Sequence, residues 1–190
     1  MEGGSSYSKP GADINIFQNH RPVSNFSFVS KLAEKAVFNQ IQNYLCVHNI
    51  YPDQQSAYRK NYSTEKPLLK VKNDLLVNMN KQHVTLLIQL DLSAAFDTID
   101  HKVLIDCLNT RCGISDAALQ WFKSYLQNRS QRVTVNGAES RSFSLEFGLP
   151  QGSCLCPLLF TIYAGELFEI VQLHLPAVMC YADDTQLYMS

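Results

Sequence analysis

The sequence predicts an α+β protein, with helices backing an antiparallel or mixed sheet. Two kinds of pattern predict it. Apolar residues recur at helical spacing through several stretches, and alternating or continuous apolar runs of strand length lie between them. A third observation supports both: turn and cap residues fall at the joins, and no internal repeat is present.

In chain order, residues 1–18 are polar and Gly/Ser-rich around the breaker Pro10-Gly11, which predicts a loose lead-in. Ser30 can cap a helix whose apolar positions are Ala33, Val37, Phe38, Ile41 and Leu45, and Tyr51-Pro52 ends that region. Ser63 or Thr64 opens a second helix with Leu68, Val71, Leu75, Leu76 and Met79 on one face; its Pro67 is tolerated only in the first turn. Val84 to Leu92 reads as a buried strand ending at Asp91. A helix over 101–112 stops at Gly113, and Ser115 caps the next, where Leu119, Phe122 and Leu126 repeat. Arg132–Val135 and Phe143–Phe147 alternate as strands around the hairpin-type Asn136-Gly137. Leu155, Leu158, Leu159, Ile162 and Tyr163 form a helical stripe. A last strand pair, Val178–Tyr181 and Gln186–Tyr188, turns at Asp183-Asp184.

A chain of 190 residues is long enough for one domain with a core. No apolar run approaches the roughly 18 residues a membrane span needs, and the N-terminal stretch lacks the basic and apolar parts of a secretory signal. The six cysteines form no CxxC pair and have no histidines at zinc spacing, so they read as buried reduced thiols in an intracellular setting. The net charge of −1 is low for a nucleic-acid enzyme. Either no nucleic acid is involved or the basic parts lie outside this chain.

Asp91 ends a strand-like run, and Asp183 and Asp184 sit at a predicted hairpin tip. Carboxylates so placed suit a hard cation such as Mg²⁺, which takes oxygen ligands and leaves positions for substrate phosphates. They also need one, because close carboxylates without a cation raise one another's pKa. Alone, each would be a turn or cap residue. Between them lies Gly148-Leu-Pro-Gln-Gly-Ser153, a tight backbone that can lie against a nucleotide, or else a plain strand-to-helix loop capped by Ser153.

Taken in order, Asp91-x-x-x-Ala95-Phe96-Asp97, Gly148-x-Pro150-Gln151-Gly152-Ser153 and Tyr181-Ala182-Asp183-Asp184 resemble the successive palm motifs of reverse transcriptases. The stretches Lys31–Lys35, Gln55-Ser-Ala-Tyr-Arg59, Ser124–Arg129 and Gln131–Gly137 are similar to the non-LTR (LINE-type) retrotransposon branch of the jockey and chicken-repeat kind, and the likeness runs from about residue 19 to the end. The resemblance implies a right-hand polymerase: fingers over 19–83, an incomplete palm over 84–190 whose antiparallel sheet is backed by helices, no thumb, and an unassigned flexible segment over 1–18. It implies RNA-directed DNA polymerisation, with an RNA template, a DNA primer and deoxynucleoside triphosphates as partners, and no membrane. Asp91, Asp183 and Asp184 would be the catalytic carboxylates and the ligands of Mg²⁺, or Mn²⁺ in its place. Arg59 would meet the triphosphate through its guanidinium fork; Phe96 would block a ribose 2′-hydroxyl; Gln151 and Gly152 would lie along the nucleotide; Tyr181 would support the primer terminus.

Two departures stand out. Cys156 occupies the place of the second glycine in the family's Gly-Ser-x-Leu-Gly-Pro run, and Pro67 interrupts a helix. With six residues after the paired aspartates, residues 1–190 alone are expected to extend a primer little, since a thumb's phosphate contacts carry much of the affinity. Two other readings stay open: a catalytically dead remnant that binds RNA or protein, and an unrelated metal-dependent phosphotransferase, against which the Arg59 and Phe96 contexts argue. Nucleus and cytoplasm are not distinguished, nor is an oligomeric state given.

Overall fold

Two sheets organise the chain, one in each of two compact units: Met1–Tyr44 with Phe96–Cys156, and Leu45–Ala95 with Pro157–Ser190. The computed structural model describes residues 2–8, 13, 20–51, 55, 57–58, 63–90, 92, 94–135, 138–174, 177–182 and 184–189. Arg59, Asp91, Asp183, Pro10-Gly11 and the Asn136-Gly137 turn lie outside the described residues. Each unit draws on both the 19–83 and the 84–190 segments.

In the first unit, β1 (Glu2–Ser8) pairs antiparallel with β2 (His20–Asn25) and parallel with β4 (Arg129–Val135). The expected loose lead-in therefore does not hold for Glu2–Ser8. Its glycines and serines carry no strand periodicity, and its hydrogen bonds come from distant segments that composition cannot show. β4 then pairs antiparallel with β5 (Ala138–Glu139), which the sequence did not predict, and with β6 (Phe143–Leu145), the predicted Phe143–Phe147 strand shortened by two residues.

α1 (Phe28–Val47) begins earlier than the Ser30 cap predicted. The cap is Ser27: the Ser30 amide donates to its Oγ at 3.2 Å, the third amide of the helix meeting an N-cap hydroxyl. α3 (His101–Thr110) is capped by Asp100, whose Oδ1 accepts from the Lys102 amide at 2.7 Å. It stops where predicted, at Gly113 with φ 67°; the Gly113 and Ile114 amides donate back to Asn109 O and Leu108 O. α4 (Asp116–Leu126) follows Ser115 as expected, but the Ser115 hydroxyl donates to the Asp116 carboxylate at 2.9 Å and makes no cap bond to the helix. Leu119, Phe122 and Leu126 of α4 are buried, the i, i+3, i+7 stripe read from the sequence; Leu104, Cys107 and Leu108 of α3 are buried as well.

In the second unit, β3 (Leu86–Leu90), β8 (Asp184–Met189) and β7 (Ala177–Tyr181) form an antiparallel sheet in the order β3-β8-β7. β3 is not the buried strand its apolar run predicted: Leu86, Leu87, Ile88 and Leu90 are all exposed. An apolar run reports what a strand would bury, not whether anything covers it, and β3 lies at the edge of this sheet. α2 (Glu65–Asn80) buries Pro67 and Val71, with Leu75 packed against Val71 and Met179 of β7. That stripe runs i, i+4, i+8, so the predicted face is shifted; Leu68, Leu76 and Met79 are exposed. Pro67 is the third helical residue, inside the first turn, where its missing N–H costs no helical hydrogen bond. α5 (Cys156–His174) is apolar nearly all round, with Leu158, Leu159, Thr161 and Phe168 at 1% exposure or less.

All six cysteines are free. Cys107, Cys112, Cys156 and Cys180 are buried as expected; Cys46 is exposed and Cys154 half-buried, so the reading of uniformly buried thiols fails at those two. No helix among the described residues is long and apolar enough to cross a membrane.

Candidate functional site

The β7–β8 hairpin carries the paired aspartates. Tyr181 faces Asp184 across the pair, so the connection is residues 182 and 183, one residue earlier than the predicted Asp183-Asp184 turn. Asp184 is thereby the first residue of β8, exposed, its side chain on the same face as half-buried Tyr181. The turn's entry, Ala182, has φ 57°, a left-handed conformation that a Cβ disfavours. It is held by a residue to which the sequence assigned no role. Gln55 is wholly buried; its Nε2 donates to Ala182 O at 3.1 Å and its Oε1 accepts from Ala182 N at 3.0 Å. On the other side of the sheet, Leu90 pairs with Thr185, and Asp91 is the next residue in sequence. A cleft of about 390 Å³ runs along this end, lined by Thr64 and Pro67 at the start of α2 and by Gln89, Tyr181, Asp184 and Gln186 of the sheet.

The first unit holds the other set of site residues. The Phe96–His101 segment is stitched to Gly148–Gln151 by backbone bonds: Leu149 N donates to Phe96 O at 2.7 Å and Gly148 N to Ile99 O at 2.8 Å. His101 Nε2 lies 2.7 Å from Gly148 O, and Asp100 bridges Phe147. Phe96 is half-buried. Gln151 is fixed at both ends. Its carbonyl accepts from the Ser24 amide at 2.8 Å, and its Nε2 donates to Asp97 Oδ1 and Oδ2 at 3.1 and 3.3 Å. Gly148 (φ 83°) and Gly152 (φ 102°) both need the freedom only glycine has. A Cβ at Gly148 would lie 2.9 Å from Asp97 O, and one at Gly152 would lie 3.3 Å from Ser24 O.

Behind this loop sits a buried carboxylate that the sequence did not flag. Glu34, 3% exposed, accepts from Tyr125 Oη and Ser153 Oγ at 3.0 Å each and from the Cys154 amide at 3.3 Å. Ser153 Oγ accepts in turn from Leu155 N at 3.0 Å, so a hydroxyl that Glu34 orients closes the turn leading into α5. Burial pushes the Tyr125 phenol well above its ordinary value, opposed by its contact with Ser153, so it stays protonated and donates. Trp121 stacks on Tyr125 at 5.3 Å, and the Arg129 guanidinium lies over Tyr125 at 4.9 Å and Phe26 at 5.6 Å. Cys156, in the place of a glycine, is 4% exposed at the first position of α5. Burial, with the negative Asp97 and Glu34 near it, pushes its thiol up to about 12.

The sequence-predicted residues thus fall into three sets. Tyr181 and Asp184 share one sheet end; Phe96, Gln151 and Gly152 share one loop pair in the other unit; Arg59, Asp91 and Asp183 lie outside the described residues. Gln55, Asp97 and Glu34 complete the local frameworks. All three fall inside stretches that carry the resemblance, but nothing in the sequence singles them out within those stretches.

Residues 7–190 match the model of the family described as "Reverse transcriptase (RNA-dependent DNA polymerase)", a match that begins earlier than the residue 19 at which the resemblance was expected to start. The chain is 27% identical over 187 residues to a probable RNA-directed DNA polymerase from transposon BS of Drosophila melanogaster, covering 96% of this chain and 20% of that protein. It is 29% identical over 159 residues to the RNA-directed DNA polymerase from mobile element jockey of Drosophila funebris, covering 84% of this chain and 17% of the relative. The chain therefore spans about a fifth of the length of these curated relatives. Among solved structures, apo telomerase from Candida Tropicalis truncated from the C-terminal domain superposes with a TM-score of 0.65 at 15% identity, over 99% of this chain and 44% of that one. A second apo telomerase structure from the same organism gives 0.64 at 13%, over 99% of this chain and 39% of that one. The fold is thus that of a partial reverse transcriptase, and the chain belongs to the reverse transcriptase (RNA-dependent DNA polymerase) family.

Proposed function

We propose that this chain is the fingers (19–83) and part of the palm (84–190) of a non-LTR retrotransposon polymerase that copies an RNA template onto a DNA primer from deoxynucleoside triphosphates. One observation carries the reading: Leu90, Asp184 and Thr185 meet at one end of the β3-β8-β7 sheet, and Asp91 and Asp183 are their immediate neighbours in sequence. Strand ends paired across one sheet would bring the carboxylates that flank them to the same edge.

The donor set fits a hard divalent cation. Asp184 is an exposed carboxylate, and Asp91 and Asp183 would add oxygen ligands of the kind Mg²⁺, or Mn²⁺ in its place, prefers. Among the described residues no group of three such side chains is gathered; Asp91 and Asp183 lie outside them. When bound, the metal pair lowers the charge cost of attack by a primer 3′-hydroxyl and of pyrophosphate departure. The chain's own residues hold the reactants. Arg59 would fork onto the triphosphate. Phe96 and Gln151, locked against Gly148–Leu149 and Asp97, would form the wall beside the sugar, where a ribose 2′-hydroxyl clashes with the Phe96 ring. Tyr181, beside Asp184, would support the primer end.

The test is primer extension on poly(rA)–oligo(dT) with Mg²⁺, by the full-length protein that carries this chain. Asp91→Asn and Asp183→Asn should each abolish extension, a loss of at least about a thousandfold for a ligand of a charge-stabilising metal. Retained activity in both variants would overturn the assignment.

A further inference from the structure

Gln55 holds the metal-side turn from below. Its side-chain amide spends both ends on one residue, Ala182, donating to its carbonyl at 3.1 Å and accepting from its amide at 3.0 Å. The same Oε1 accepts from the Ala57 amide at 3.0 Å, and the Gln55 backbone bridges in parallel to Cys180. The side chain is at 0% exposure, so water does not compete for any of these bonds. What it holds is unusual: Ala182, with φ 57°, is an alanine in the left-handed region, which relaxes unless its surroundings over-determine it.

We infer that Gln55 is the positioning residue of the polymerase centre. It fixes Ala182 in the left-handed conformation from which Asp183 and Asp184 leave the turn. Through the Ala57 amide it also fixes the segment that leads, two residues later, to Arg59. One buried amide thereby ties the turn residue that precedes Asp183 to the segment that precedes Arg59. A space-filling glutamine would need none of these backbone bonds, and a bond to a side chain of residue 182 would not control its φ. The inference rests on the reading of Asp91, Asp183 and Asp184 as metal ligands.

Two measurements separate this inference from that reading. The first needs no activity: amide hydrogen exchange on the 190-residue chain. Gln55→Met, of equal length but without the amide, should lose about tenfold or more of the protection at Ala182 N–H, while the amides that pair β7 with β8 keep theirs. Gln55→Asn, one methylene too short to span the contact, should do the same and serves if the methionine variant does not fold. The second is extension by the full-length protein across a Mg²⁺ titration. Gln55→Met should raise the half-saturating Mg²⁺ about tenfold and lower kcat, and Ala182→Gly in the same chain should restore several-fold of that loss, because glycine adopts the left-handed conformation without help. Unchanged exchange at Ala182 or an unchanged Mg²⁺ requirement overturns the positioning role, as does a double variant no better than Gln55→Met. If the unsubstituted full-length protein extends no primer at all, the polymerase reading falls while the exchange result still decides the clamp.

Discussion

Gly148→Ala should damage the first unit more than any other single methyl added to its glycine loops. Gly148 has φ 83°, and its added Cβ would meet Asp97 O at 2.9 Å, Asp97 Cα at 3.0 Å and Asp97 C at 3.1 Å, all backbone atoms with no rotamer to give way. The conformational cost of a Cβ in the left-handed region is about 1–2 kcal/mol. Overpacking against a fixed neighbour adds about 1–3 kcal/mol. The expected loss is thus roughly 2–5 kcal/mol, before the few tenths to about 1 kcal/mol that alanine returns by stiffening the unfolded chain. Gly113→Ala is the control. Its φ of 67° carries a similar conformational cost, but its Cβ would meet one atom, the Tyr44 hydroxyl bonded to Cys112 O, at 3.3 Å, and no backbone. It should lose only about 1–2 kcal/mol. Trp121 is the only tryptophan and stacks on Tyr125, so urea unfolding followed by its fluorescence reads this unit alone. If Gly148→Ala lost no more than Gly113→Ala, the close approach of the two loops could not be what holds Phe96 and Gln151 in place.

Glu34→Leu strands the Cys154 amide and two hydroxyls that lie 2.8 Å apart and can still bond each other, so it should cost about 2–4 kcal/mol in the same assay; Glu34→Gln, which keeps one acceptor, should cost about half as much. Burial raises the thiols of Cys112 and Cys156 from the ordinary value of 9.0 to about 11 and about 12. A raised folded-state pKa means the folded chain keeps protons the unfolded chain releases, so this stability is whole below about pH 9 and is lost as pH rises through 11 to 12. Urea midpoints should fall above pH 9, and Cys112→Ala with Cys156→Ala should flatten the fall; a midpoint independent of pH would contradict the burial. Phe96→Val in the full-length protein should raise ribonucleotide incorporation relative to deoxyribonucleotide by about tenfold or more, as a relieved steric clash does. An unchanged ratio would return Phe96 to core packing.

What the sequence made legible was local. The helix stop at Gly113, the Leu119, Phe122 and Leu126 stripe and the tolerance of Pro67 in a first turn all depend on residues within a few positions of one another. The family was legible too, because the ordered aspartates and the Pro150-Gln151-Gly152 loop form a motif that is a spacing along the chain. What failed was non-local. Glu2–Ser8 became a strand only because β2 and β4 offered it edges. β3 was expected buried because its run is apolar, yet burial depends on what lies over a sheet face. The hairpin turn moved by one residue because register is set by cross-strand pairing of Tyr181 with Asp184, which a preference of Asp for turns cannot fix.

Gln55 and Glu34, buried polar residues in separate units, show the same limit. Gln55 lies 127 positions from Ala182, and Glu34 lies 120 from Cys154. Neither stands out in the sequence from the stretch that carries it. Their burial is affordable only because every strong contact they make goes to a backbone amide, a backbone carbonyl or a hydroxyl that would otherwise be stranded. The two arrangements differ in charge: the Ala182 turn is held by a neutral amide, which would add no net charge beside the proposed metal carboxylates, whereas Glu34 brings a carboxyl to the loop that leads into α5 in the other unit.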